Sequence, residues 1–344
     1  MADRFKLDKK KLPEKVIMGE CWARDGLQNE GKIIPTEDKV RMINKFQALG
    51  FKKVEVTSFA HPKYLPQFAD AEEVLQQVDR LPGVDFRAIV TTERGMQRAI
   101  AAKEQGFGVH EIAMVISASE AHNLSNVNMN HKENMALLEK LAKMSLDSGH
   151  EILGWVLTAF GCPIMGDVPL EQVAQLGKWW KDLGAKYIGF GDTTGMANPL
   201  QVDEFYEYML AEGFTPDEII VHFHDTRGVG VANNLVALMK GMIYFDSSMG
   251  AIGGQPNTGA ELYHLGYAGN TCTEDLVLMF EEMGVDTGID RWGLCETGFE
   301  IERIVGRQLR SNVIRCGPVI HEPHDLPDQD LHMRGVPKMK SQAR

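Results

Sequence analysis

Two histidines one residue apart, in Val221-His222-Phe223-His224-Asp225, are the most specific chemical signal in the chain. On a β-strand such residues share a face, so two imidazoles project together while Val221 and Phe223 turn the other way. The pair can hold a divalent cation or sit as hydrogen-bonded core histidines, and its position at a strand end favours the cation. A carboxylate from another strand would complete the site, and spacing alone leaves Asp25, Asp192 and Asp225 open. Mixed oxygen and imidazole donors suit Mg2+ or Mn2+, with Zn2+ and Co2+ as competitors. A cation so held polarises a carbonyl and an adjacent hydroxyl, which is Lewis-acid work on an enolate-forming reaction. Arg24, beside Asp25, can bind a carboxylate or an enolate oxygen, and Glu55 can steer it through a charge-assisted pair; the same two residues also read as a structural ion pair.

Such residues need a scaffold that brings distant segments together. Eight short apolar runs recur, each followed by a longer amphipathic stretch: Val16–Cys21, Val54–Phe59, Phe86–Val90, Ile112–Ser117, Ile152–Thr158, Tyr187–Gly191, Ile219–His224 and Tyr244–Ser248. Helices are expected over Thr36–Leu49, Ala71–Val78, Glu93–Gln105, Asn134–Ser148, Leu170–Leu183, Pro199–Ala211 and Val231–Gly241. Thr36 reads as a helix cap, and Gly50, Gly106, Gly149 and Gly184 as left-handed stops. Eight βα units close most naturally into a (β/α)8 TIM barrel, whose catalytic groups occupy the C-terminal strand ends. Those ends carry Arg24-Asp25, Glu55, Thr57-Ser58, Thr91-Thr92, Ser117, Thr158, Asp192-Thr193, His222, His224 and Asp246-Ser247-Ser248. Further helices are expected near Thr273–Met283 and Asp290–Leu309. The expected organisation is an N-terminal extension over 1–15, a catalytic barrel with cap helices over 16–310, and an extended, Pro-containing tail over 311–344.

The chain has 344 residues, 44% of them hydrophobic, enough for one large core. A net charge of -12 without a basic cluster argues against nucleic acid as a partner. The start lacks a secretory signal and no run is apolar enough to span a membrane, so the reading is a cytoplasmic protein without a membrane partner. Five scattered cysteines, an odd number without paired spacing, exclude a disulfide framework.

The segment Arg24-Asp25-Gly26-Leu27-Gln28-Asn29-Glu30, followed by Glu55-Val56-Thr57-Ser58-Phe59, resembles the opening of the 3-hydroxy-3-methylglutaryl-CoA lyase family within the DRE-TIM metallolyase superfamily. Ser117-Ala118-Ser119-Glu120, Gly161-Cys162-Pro163, Gly191-Asp192-Thr193, His222-Phe223-His224-Asp225-Thr226, Gly253-Gly254 and Gly269-Asn270 with Thr273-Glu274-Asp275-Leu276 follow in the family's order. The resemblance runs from about Val16 to Gly288. It implies a carbon–carbon lyase acting on a hydroxy acid or its CoA thioester, and a homo-oligomer. By resemblance Asp25, His222, His224 and Asn270 are the metal ligands, Arg24 is the catalytic arginine, and Glu55, Asp192 and Glu274 are acidic residues of the site; His222 is also placed for proton transfer. One departure stands out: where the family carries a catalytic cysteine after Gly-Gly, this chain reads Gly253-Gly254-Gln255-Pro256. An amide has no usable pKa, so Glu261, Tyr263 and His264 become the candidate proton donors. Two other readings are compatible with that loss: a condensing acyltransferase like the isopropylmalate and homocitrate synthases, and a non-catalytic protein that binds metal and CoA esters.

Overall fold

The computed structural model describes residues 12–254 and 269–321 and contains eight parallel strands in a closed barrel, in sequence order. They are β1 Ile17–Glu20, β2 Lys53–Ser58, β3 Asp85–Ile89, β4 Glu111–Ser117, β5 Glu151–Leu157, β6 Tyr187–Asp192, β7 Ile219–Phe223 and β8 Tyr244–Ser247. Closure is made by β1 on β8, in register from Ile17 opposite Tyr244 to Glu20 opposite Ser247. The outer helices are α1 Thr36–Leu49, α2 Ala71–Gln77, α3 Glu93–Glu104, α4 Glu120–Val127, α5 His131–Asp147, α6 Leu170–Asp182, α7 Pro199–Ala211 and α8 Gly230–Met239, followed by α9 Thr273–Glu282, α10 Arg291–Val305 and α11 Val313–Cys316.

The period of two divides each strand between two environments. Val54, Val56, Phe86, Ala88, Ile112, Met114, Ile116, Val221, Phe223 and Phe245 join the apolar layer beneath the helices. Their alternates point inward, where Ala113, Val115, Leu153, Trp155, Tyr187 and Ile220 form a small apolar cluster. Lys53, Glu55, Arg87, Glu111, His222 and Asp246 alternate with the outward residues and are buried, so the interior is strongly charged. The layers meet closely: a Cβ at Gly154 would lie 2.3 Å from the indole of the buried Trp180.

Several helix starts differ from those expected. Pro35, not Thr36, occupies the cap of α1, and the Thr36 hydroxyl donates to Asp70 Oδ2 at 2.7 Å. The helix expected from Asn134 begins at His131, because Asn130 and Glu133 form a reciprocal capping box. The short α4, eight residues capped by Ser119, is not among the expected helices. α11 lies inside the segment expected to be extended, its first turn held where Asp275 Oδ1 accepts from the amides of Asn312 and Val313 at 2.9 Å each. The expected left-handed stops are present; at Gly50 φ is +110°, and a Cβ would stand 2.1 Å from the Gly288 carbonyl oxygen. Among the described residues no helix is long and apolar enough to cross a membrane.

Overpacking at the strand–helix interface is costly. Gly154→Ala is expected to lower the unfolding free energy by about 1–3 kcal/mol, read by urea denaturation, because Trp180 has no exposed space into which to retreat.

Candidate metal centre

Immediately after β1 the chain makes one π-helical turn, Trp22–Gly26, with the amide of Gly26 donating to Cys21 O at 3.0 Å and that of Leu27 to Trp22 O at 3.0 Å. Such turns recur at functional sites, and this one buries both Arg24 and Asp25. Arg24 Nη1 donates to Asp25 Oδ1 at 2.7 Å, while Nη2 lies 2.9 Å from Glu55 Oε2 on β2. The arginine is therefore held between two carboxylates. Burial opposes its charge, but Glu55 and Asp25 more than offset that and keep it cationic.

The His-x-His pair stands at the end of β7, with His222 Nε2 3.0 Å from His224 Nε2. Asp25 Oδ2 is 3.6 Å from His224 Nε2. One donor atom from each of Asp25, His222 and His224 lies within 4.8 Å of the others. Asn270 arrives from the segment after β8, paired with His224 in an isolated backbone bridge, and its Nδ2 donates to Asp25 Oδ2 at 2.6 Å. Its Oδ1 is buried without a hydrogen-bond partner, a polar atom that ordinarily needs one. A carboxylate, two imidazoles and an orphaned amide oxygen make a donor set that fits a divalent cation.

The electrostatics are consistent with that role. Burial would raise the Asp25 carboxyl, yet Arg24 and His224 outweigh it and hold the group well below the usual carboxylate range. Burial, reinforced by His224, lowers His222 to about 4, leaving a neutral ring able to donate a lone pair. His224 moves upward because Asp25 outweighs burial. Glu55 is raised by burial in spite of Arg24 and Arg87.

Asp192, at the end of β6, accepts through Oδ1 from the amides of Met196 at 2.7 Å and Ala197 at 3.2 Å, while its buried Oδ2 has no partner. Burial raises it to about 6. Glu274 has different company: its carboxylate accepts from the Gly250 amide at 2.9 and 3.1 Å and from Cys272 Sγ at 3.1 Å. It thus anchors the turn leading to Gly253, which passes so close that a Cβ there would lie 2.4 Å from Asp25 O and 2.7 Å from Asn270 Nδ2. Gly254 O accepts from Asn29 Nδ2 at 2.9 Å, tying this strap to the β1 turn. Asp225, the third carboxylate left open by spacing, accepts from the Gly230 amide at 2.6 Å and is absent from the metal-competent groups. Gln255, Glu261, Tyr263 and His264 lie outside the described residues.

Two buried charged residues, Glu20 and Arg87, lay beyond the reach of motif reasoning. Glu20 is buried and raised to about 8 by desolvation; its Oε1 accepts from the amides of Trp22 at 2.9 Å and Met249 at 3.0 Å, and its Oε2 from the Thr273 hydroxyl at 2.8 Å. Arg87 makes a two-pronged pair with Asp246, at 2.9 Å on each oxygen, and Asp246 Oδ2 lies 4.0 Å from His222 Nδ1. Arg87 stood as a lone charge within an apolar run at inward parity, which is the available signal.

With this geometry in hand, the family comparison is specific. The HMGL-like family model matches residues 15–300. The chain is 38% identical over 299 residues to hydroxymethylglutaryl-CoA lyase YngG of Bacillus subtilis, covering 87% of this chain and 96% of that enzyme. Among solved structures it is similar to the Bacillus subtilis HMG-CoA lyase, with TM-score 0.83, 37% identity, and coverage of 89% and 98%. It is also similar to an HMG-CoA lyase of Acinetobacter baumannii in complex with coenzyme A and 3-methylmalate, with TM-score 0.82, 33% identity, and coverage of 91% and 98%.

The raised Asp192 carboxyl makes stability depend on pH. Its folded value, about 6, exceeds the ordinary 3.8, so its contribution is fully present below the unfolded value and lost as pH rises through 6. Asp192→Asn retains the acceptor for Met196 and Ala197 and removes the ionisation. In metal-free protein its stability relative to wild type is expected to rise by about 2 kcal/mol between pH 4 and pH 8, measured by urea unfolding at each pH. A pH-independent difference would show that Asp192 titrates normally.

Proposed function

Because the chain belongs to the HMGL-like family and is a metal-dependent carbon–carbon lyase of the hydroxymethylglutaryl-CoA lyase type, we propose that it cleaves a 3-hydroxyacyl-CoA or a related branched hydroxydicarboxylate, with Mg2+ or Mn2+ held by Asp25, His222, His224 and Asn270. The observation that carries this reading is the convergence of those four donors beside a guanidinium fixed by two carboxylates. When bound, the cation supplies Lewis-acid polarisation of a substrate oxygen.

The remaining work falls to the chain itself. Removal of the hydroxyl proton lets its electron pair form a carbonyl as the adjacent carbon–carbon bond breaks, and the bonding electrons pass to the departing fragment as an enolate. Arg24, held by Glu55, supplies fixed positive charge where that enolate oxygen develops, without reorientation during the step. Asp192, with an unpartnered oxygen, and His222 are the two candidates to take the hydroxyl proton. Glu274 acts by holding the Gly250 turn and hence the strap that crosses Asp25. Proton delivery to the enolate carbon is assigned to Glu261, Tyr263 or His264, the donors that the sequence after Gln255 offers.

Metal-loaded protein incubated with a panel of 3-hydroxyacyl-CoA thioesters and hydroxydicarboxylates is expected to release acetyl-CoA or an oxo acid, and to stop when the metal is chelated. Failure to cleave any member would overturn the substrate reading. Asp25→Ala is expected to lose metal and turnover together, whereas Arg24→Gln retains metal and loses roughly 10²–10³-fold in kcat.

A further inference from the structure

The two histidines differ in what lies behind them. His224 Nδ1 is 2.7 Å from the Thr193 carbonyl oxygen, an acceptor that requires a proton on Nδ1 and so leaves Nε2 for the cation. His222 Nδ1 is buried without a hydrogen-bond partner, and the carboxylate that faces it is Asp246, with Oδ2 4.0 Å away. His222 Nε2 is 3.0 Å from His224 Nε2, the pair of nitrogens that would hold the cation, and the Trp155 indole packs edge-on against the ring at a centroid distance of 5.3 Å.

Asp246 is itself held firmly. Arg87 grips both of its oxygens, Arg87 Nε lies 3.3 Å from Glu111 Oε1, and Glu111 Oε2 accepts from Lys53 Nζ at 3.0 Å. Gly19 on β1 makes the room, since a Cβ there would stand 2.1 Å from Asp246 Oδ1. Cys21, His222 and Asp246 also form a second group within metal-ligand reach. A cation there would have to face the Arg87 guanidinium across the same carboxylate, and burial keeps Cys21 in its thiol form. The group is therefore built to hold an imidazole and not a second metal.

We propose that Asp246, clamped by Arg87, is a positioning residue that accepts a hydrogen bond from His222 Nδ1–H when the metal is bound and thereby presents Nε2 to it. This deepens, and rests on, the metal-ligand reading given above. It makes His222 a ligand with its second nitrogen committed, which leaves Asp192 as the group that takes the substrate proton. Carboxylate support of this kind ordinarily changes metal affinity 10–100-fold.

Two measurements test it. In Mg2+-loaded wild-type protein at pH 8, with 15N-labelled histidine, the Nδ1 proton of His222 is expected to resonate downfield of a free imidazole N–H, as a hydrogen bond to a carboxylate requires; a free-imidazole shift would overturn the proposal, and this needs no variant to fold. In Asp246→Asn the single acceptor oxygen remains with Arg87 and the amide turns a donor toward His222, which forces the proton to Nε2. Mn2+ affinity measured by calorimetry is then expected to fall 10–100-fold, with an unchanged circular dichroism spectrum. A folded Asp246→Asn that binds Mn2+ within twofold of wild type sinks the positioning role. Asp25→Ala separates the two readings: if it keeps wild-type Mn2+ affinity, the ligand assignment itself fails, and if it alone loses metal, only the role of Asp246 fails.

Discussion

Charge neutralisation inside a barrel with almost no access to water is the constraint on which the rest of this structure depends. Lys53, Arg87 and Arg24 face Glu111, Asp246, Glu55 and Asp25, all of them buried. Removing ions from water costs several kcal/mol each, so each must be answered by close partners in good geometry. Arg87 meets this with a fork on Asp246, and Arg24 with one nitrogen on each of two carboxylates. The cations are one fewer than the carboxylates. The surplus negative charge lies at the end of the barrel where Asp25, His222, His224 and Asn270 converge, so a divalent cation there completes an electrostatic pattern that the strands have already begun.

That pattern explains what could be read from the sequence and what could not. The eight strands, the (β/α)8 closure and the His222/His224 pair follow from periodicity, because the outward-facing residues are predominantly apolar. Strand starts were a different matter. Reading β2 from Val54 and β4 from Ile112 leaves Lys53 and Glu111 outside, since a charged residue at the edge of an apolar run looks like a turn. In the barrel these are the first inward-facing residues, and their charges are satisfied across strands by partners 58 residues apart. No local pattern reports such a pairing. The proposed ligand set had the same difficulty: Asn270 stands beside Asp25 through a contact spanning 245 residues, which family resemblance indicated and spacing did not.

Glu274 illustrates how resemblance can identify a residue without its means of action. Its contacts are with the Gly250 amide and the Cys272 thiol, and Glu20 shares the task by accepting from Met249 and Thr273. Together the two carboxylates fasten the backbone from Met249 through Gly253 to the N-terminus of α9. Gly253 needs this restraint because its positive φ and close approach to Asp25 permit no side chain. A carboxylate two contacts away from the donors can therefore set the donor geometry, acting through backbone position and not through proton transfer.

The seam between β1 and β8 joins these ideas. Gly19 opposite Asp246 admits the Arg87 clamp, Glu20 opposite Ser247 leads into the network that secures Thr273, and the Cys21 amide donates to Ser247 O at 2.9 Å just before the turn that carries Arg24 and Asp25. Closing the barrel and assembling the metal donors are thus the same event. Before closure, Asp25 and Asn270 are ends of a long chain; after it, they share a hydrogen bond of 2.6 Å. A cation that needs both binds the closed state and not the open one, so its binding free energy adds to the stability of the seam. The first and last strands are accordingly where metal, fold and chemistry are coupled, and the absence of a side chain at Gly19 is as much a part of that coupling as the presence of Asp25.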